Sequence, residues 1–188
     1  MKKEKLTFKQ NRMYTILDEA TKLLIVKPNA SMNDIAEAAN IGIATLHRYV
    51  ESREQLMIHL AMRAIDVVNE TLQQVKLDED RVEQYIPELI EALIPLGDKI
   101  YFLGHDAAVN YSADIEEAYL KLREPVLHAI GVLQEKGFFR SDMDKMWMVE
   151  VLYSILFLTW QQVITGNIAR NAAPALVVDT FYHGFAAK

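Results

Sequence analysis

Apolar residues recur at helical spacing along most of this chain, and the breaks between runs are short and polar. Met13, Ile16, Leu17, Ala20, Leu23 and Leu24 follow the three-and-four rhythm of an amphipathic helix and predict one from about Asn11 to Val26. It stops at Lys27-Pro28-Asn29, because proline disfavours helix in the residue before it. Residues 1–10 then read as a frayed basic arm carrying Lys2, Lys3, Lys5 and Lys9. Two shorter patterns follow, separated by Asn40, Ile41 and Gly42. Ser31 with Asp34 three residues later is a helix-opening pair, so a helix begins near Met32 and runs through Ile35, Ala36, Ala38 and Ala39. Asn40 ends it, since asparagine tolerates the left-handed conformation. Gly42 lets the chain turn tightly into a second helix, from Ile43 to about Val50. On that helix Leu46 and Val50 share one side, flanked by Ile43 and Tyr49, while Ala44, Thr45 and Arg48 face away. Ser52, with Gln55 three residues on, caps a longer helix from Arg53 to about Val75.

Beyond the charged break Asp78-Glu79-Asp80 the same rhythm resumes. Ile86, Leu89, Ile90, Leu93 and Ile94 predict a helix ended by Pro95 and Gly97, with Pro87 near its first turns. Asp98 caps a segment to about Asn110. Ser112 or Asp114 starts another helix, interrupted or kinked at Pro125 and stopped at Gly137. Lys145 to about Ile164 is apolar on nearly every side and must be buried on most sides, with Ala175 to Ala186 as its partner helix. An apolar fraction of 51% with only 7 Gly and 5 Pro agrees with an all-α protein.

Charge divides the chain. The total is −6, but residues 1–59 hold 9 Lys/Arg against 7 Asp/Glu, and residues 60–188 hold 11 against 19. A head of +2 before a body of −8 suits a molecule that meets phosphate with one end. The body's charge leans toward a neutral or cationic small-molecule partner. With no cysteine there is neither a disulfide nor a thiolate metal site. No apolar export signal is visible, and the run Val151 to Trp160 is too short for a bilayer, so a cytoplasmic protein is expected.

The stretch from Ser31 to Leu56 resembles the N-terminal helix-turn-helix of the TetR family of transcriptional regulators. The resemblance rests on Asp34-Ile35-Ala36, Ala38-Ala39, Ile41, Thr45-Leu46-His47-Arg48-Tyr49 and Ser52-Arg53-Glu54 with Leu56, preceded by Ile16-Leu17-Asp18-Glu19-Ala20. Asn40 stands where the family usually has Gly, Gly42 where Ser or Thr often caps, His47 where Tyr is common and Val50 where Phe usually packs. The resemblance implies an N-terminal three-helix DNA-binding domain, residues 1–55, followed by a larger helical domain for effector binding and dimerisation, residues 56–188. It implies a repressor that binds near-palindromic operator DNA as a homodimer and is released by a small-molecule effector. DNA contacts then fall to Gly42, Ile43, Ala44, Thr45, His47, Arg48, Tyr49 and Arg53. Arg48 and Thr45 read bases or adjacent phosphates, Ile43 and Ala44 form the apolar groove surface, and His47, Tyr49 and Arg53 touch phosphate. The last two long helices imply a four-helix dimer interface through Val151, Leu152, Ile155, Leu158, Leu176 and Phe181.

Tyr101, Phe102, His105, Tyr111, Tyr119, Tyr153, Phe157 and Trp160 supply aromatic and polar groups for an effector pocket, although ordinary core is the competing reading for each. His47, His59, His105, His128 and His183 show no spacing suited to a metal, and His105-Asp106 is the best acid-base candidate. No phosphate loop or nucleophile motif recommends an enzyme, and no cofactor or metal is expected. The alternative function is a helix-turn-helix DNA-binding protein controlled by a protein partner, without an effector pocket.

Overall fold

The computed structural model describes residues 7–100 and 113–186. Its described residues fold as helices joined by short turns. Helix α1 (Phe8–Val26) starts earlier than apolar spacing predicts, because Thr7 and Gln10 form a reciprocal cap. Thr7 therefore caps a helix that includes residues 8–10, and these do not belong to a frayed arm. Helices α2 (Met32–Ala38) and α3 (Ile43–His47) form the helix-turn-helix, and α4 (Arg53–Leu72) leaves it. The order continues with α5 (Val82–Leu93), α6 (Gly97–Ile100), α7 (Ala113–Glu135), α8 (Lys145–Ile164) and α9 (Ala173–Phe185).

Helix ends have local causes. Asp144 caps α8 by accepting the Trp147 N–H at 2.9 Å. Gly137, at φ 75°, ends α7 while the Phe138 N–H reaches back to the Leu133 carbonyl at 2.9 Å. Helix α7 runs through Pro125 without interruption, so of the interruption or kink expected there the interruption does not occur. Helix α5 likewise contains Pro87.

Two separate cores form. In the head, Ile16, Leu17, Ala20 and Leu24 of α1 close over Ile35, Leu46, Val50, Leu56 and Leu60. In the body, Ala61, Ala64, Ile65 and Val68 of α4 pack with Ile86, Leu89 and Ile90 of α5, Ile130 and Leu133 of α7, Leu152 and Leu156 of α8, and Phe181 of α9. The cores meet inside α4, between Leu60 and Ala61, so one continuous helix serves both. Helix α6 lies where α1 and α4 come together.

Helix α8 has the length and apolar composition of a membrane-crossing helix. Here Met148, Val149, Leu152 and Leu156 are buried in the body core, with α7 and α9 packed on either side. Its other side is not covered: Trp147, Leu158 and Ile164 are exposed, as is Leu176 of α9.

Candidate DNA interface and body cavity

The head presents α3 through a short set of backbone devices. Ser31 accepts the Asp34 N–H at 3.2 Å, and Asp34 returns the bond from the Ser31 N–H at 2.6 Å. Lys27 adds a third contact, Nζ to Asp34 Oδ1 at 2.9 Å. The Ser31 hydroxyl first, then Lys27, holds the Asp34 carboxyl down at about 2. At the other end of α2, Asn40 takes φ 52°, and the Ile41 N–H donates to the Ala36 carbonyl oxygen at 2.9 Å. This is the left-handed cap expected of Asn40. Gly42 has a different role from the one read in its sequence. Its φ is −73°, open to any residue, and nothing lies within 4 Å of where its Cβ would stand. The turn is therefore made by Asn40, and Gly42 simply opens α3 without a side-chain cap.

Helix α3 is shorter than predicted, yet its faces divide as its sequence requires. Leu46 is fully buried, as is Val50 in the turn that follows. Ile43, Ala44, His47 and Arg48 are exposed, while Thr45 and Tyr49 are half-buried, Tyr49 against the head core. Gly42, Ile43, Ala44, Thr45, His47 and Arg48 thus form one small, accessible surface bearing a hydroxyl, an imidazole and a guanidinium. Arg53 is used differently. Its guanidinium donates to the carbonyls of Ala30 and of Pro28, the latter at 2.7 Å, fastening the α1–α2 loop to the first turn of α4. Those two acceptors account for a cation at a helix N-terminus, where the dipole alone favours an acid.

In the body, the described residues line a partly open cavity of ≈ 440 Å³. Tyr119, Tyr153, Phe157 and Trp160 line it, four of the aromatics singled out by sequence. Tyr101, Phe102, His105 and Tyr111 lie outside the described residues, as does Asp106. Val68, Leu93, Ile100, Leu122 and Leu158 complete the apolar wall, and Arg123, Glu150, Ser154 and Gln161 bring polar groups that sequence reasoning missed. A signal for two of them existed. Arg123 lies on the same helical face as Tyr119 and Val126, and Glu150 is the one acid within the apolar run of α8.

Arg123 and Glu150 pair across α7 and α8, Nη2 to Oε2 at 3.3 Å with a second contact from Nη1 to Oε1. The guanidinium also stacks on the Tyr119 ring, 4.3 Å from its centroid. Burial pushes the Tyr153 hydroxyl well above its ordinary range, so it stays protonated. Trp160 lies edge-on to Phe157, centroids 6.1 Å apart. Its other side meets Gly97, where a Cβ would stand 2.6 Å from Trp160 Cδ1. Only a glycine at the start of α6 permits this approach.

Two residues expected at a dimer interface face inward instead. Leu152 and Phe181 are fully buried in the core of their own chain, Phe181 edge-on to Phe139 at 5.6 Å. Leu158 and Leu176 are exposed, and Val151 and Ile155 are half-buried, on the uncovered sides of α8 and α9. A helix apolar all round, as α8 is, gives no sequence signal for which side turns inward, so Leu152 and Leu158 are alike in sequence.

No family model matches the chain. It is 25% identical over 164 residues to the HTH-type transcriptional repressor LfrR of Mycolicibacterium smegmatis, covering 87% of this chain and 85% of that protein. It is 23% identical over 167 residues to the HTH-type transcriptional regulator NfxB of Pseudomonas aeruginosa, covering 86% and 87%. Among solved structures, the TetR-like regulator LfrR in complex with proflavine superposes with a TM-score of 0.77 at 20% identity, over 94% of this chain and 98% of that one. AibR in complex with isovaleryl coenzyme A and operator DNA gives 0.74 at 17% identity, over 91% and 98%. These superpositions establish the fold.

Proposed function

We propose that this chain, which is a TetR-family transcriptional regulator, represses transcription by binding a near-palindromic operator as a homodimer and lets go when a small molecule fills the body cavity. The observation that carries the DNA-binding half is the division of α3 and its flank: Leu46 and Val50 are fully buried while Ala44, His47 and Arg48 stand out on a surface fixed by Asn40. A helix so held enters a major groove about 12 Å wide with its small and basic side outward. Arg48 and Thr45 then meet base edges, Ile43 and Ala44 the apolar groove surface, and His47, Tyr49 and the N–H groups near Gly42 the phosphates. Arg53 acts at one remove, as a positioning residue that holds the loop behind them.

The uncovered strip of α8 and α9, with Trp147, Leu158, Ile164 and Leu176 exposed, supports pairing with a second copy. Two heads then address half-sites about 34 Å apart. The cavity supports a small-molecule effector over control by a protein partner, since ≈ 440 Å³ lies within the range of ligand pockets. Release follows if the ligand prefers a spacing of heads that DNA does not. LfrR was crystallised with proflavine and AibR with isovaleryl coenzyme A and operator DNA, so ligands and operator DNA both occur on this fold. Acting on DNA, the regulator works in the cytoplasm.

Selection of purified protein against random duplex DNA tests the reading. A near-palindrome is enriched, and Arg48→Ala weakens binding to it by about 1 to 3 kcal/mol while random DNA is held almost as before. Equal loss on both makes Arg48 a phosphate contact. No enrichment at any salt concentration overturns the operator reading.

A further inference from the structure

The cavity is largely aromatic and apolar, but among the described residues its wall holds one cation, and the two halves of that cation's ion pair are secured unequally. The Arg123 side chain is only 11% exposed. It lies 4.3 Å over the Tyr119 ring with the Tyr153 ring at 5.8 Å, and its Nε is buried without an acceptor among the described residues. The Glu150 side chain is 47% exposed. A half-exposed carboxylate on a flexible stem regains most of its hydration by swinging outward, so leaving costs little. A stacked, buried guanidinium has no such exit, because unpairing it in place leaves a desolvated charge.

A molecule entering the cavity therefore meets a fixed cation with an exchangeable counter-ion. A ligand carboxylate takes over the two guanidinium hydrogen bonds one for one, and Glu150 turns to water. A ligand cation instead shares Glu150 with an arginine that cannot withdraw, which brings two positive charges together in a space of low dielectric. Resting on the reading of this cavity as the effector site, we propose that the effector is an aromatic monocarboxylate, or an equivalent planar anion, anchored by Arg123 in exchange for Glu150, with its rings against Tyr153, Phe157 and Trp160. The acidic body leans the other way by composition. Proximity decides, because surface charges are screened beyond about 8 to 10 Å whereas Arg123 is in the wall itself.

Calorimetric titration of the full-length protein with 2-naphthoate, 2-naphthamide and 2-(aminomethyl)naphthalene tests this, the three probes differing chiefly in charge. Naphthoate is expected to bind at least about tenfold more tightly than the ammonium compound. Arg123→Met removes that preference and leaves the amide within about threefold of its original affinity. Glu150→Gln, at a half-exposed position, tightens naphthoate binding because the competing carboxylate is gone, and it decides the matter if Arg123→Met does not fold. Tighter binding of the ammonium compound, or weaker naphthoate binding in Glu150→Gln, overturns the proposal. So does failure of all three probes to bind. Operator binding by the same preparations separates this failure from that of the regulator reading: retained DNA binding with a cation-preferring cavity leaves a regulator with a different effector.

Discussion

The head and the body carry their proposed sites in opposite ways. In the head, the groups proposed for DNA all fall within the short stretch from Gly42 to Tyr49, and their placement is fixed by a reciprocal cap at Ser31 and Asp34 and one left-handed residue, Asn40. In the body, the cavity draws on α4, α5, α6, α7 and α8, from Val68 to Gln161, and no two neighbouring helices suffice to build it. A site made from local backbone geometry keeps its shape as long as one small core holds. A site made where several helices converge depends on the packing of all of them.

The largest test of that contrast is Leu46→Ala. Leu46 is fully buried in the head core, and its truncation costs about 2 to 5 kcal/mol. Operator binding falls with the head's thermal stability, while naphthoate titration of the cavity is unchanged, because Leu46 contributes nothing to the body core. Loss of both together breaks the separation of the two cores. Next is Gly97→Ala, which sets a Cβ 2.6 Å from the Trp160 ring. Overpacking of this kind costs about 1 to 3 kcal/mol, read as a lower melting temperature and as altered tryptophan fluorescence, with the cavity's affinity changed as well. An unaltered melting temperature and spectrum mean that the ring moves aside freely, and the cavity is then less dependent on its neighbours than this packing implies.

The smallest effect belongs to the head alone. Asp34 is lowered from 3.8 to about 2, so its ionised cap favours the folded head above pH 3.8. That contribution is lost as the pH falls through about 2, because a depressed carboxyl must be protonated there in the folded state. An NMR titration of the Asp34 carboxyl follows it directly. A midpoint at the ordinary value shows that neither Ser31 nor Lys27 holds the carboxylate.

The difference between the two regions also governs what could be read from residues in a row. Ser31, Asp34, Asn40, Leu46, Val50 and Ser52 act on neighbours a few positions away, so spacing alone revealed their roles. Thr7 with Gln10 works in the same way but precedes the apolar rhythm, so apolar spacing alone predicts a helix start later than Phe8. Gly42 shows a different limit: a glycine beside a turn need not be the residue that makes it. In the body, Arg123 and Glu150 meet across two helices, and their pairing is visible only once those helices are packed. Leu152 and Leu158 look alike along an apolar helix, yet one is sealed inside and the other stands at the surface.

The Arg53 clamp bears on how freely this molecule can drift in sequence. Both of its acceptors are main-chain oxygens, at Pro28 and Ala30, so the hold on the loop does not depend on donors or acceptors in the loop's side chains. The clamp itself sets no requirement on the loop's side chains so long as the backbone keeps its path, whereas Ala30 is held small by the head core and Ser31 by its cap on α2. Position 53 has no such latitude. Reaching two carbonyls at once suits a planar fork, and a lysine, with a single ammonium, keeps the charge while surrendering the span. Variation tolerated in the loop is thus underwritten by constancy at one side chain twenty-odd positions along the chain.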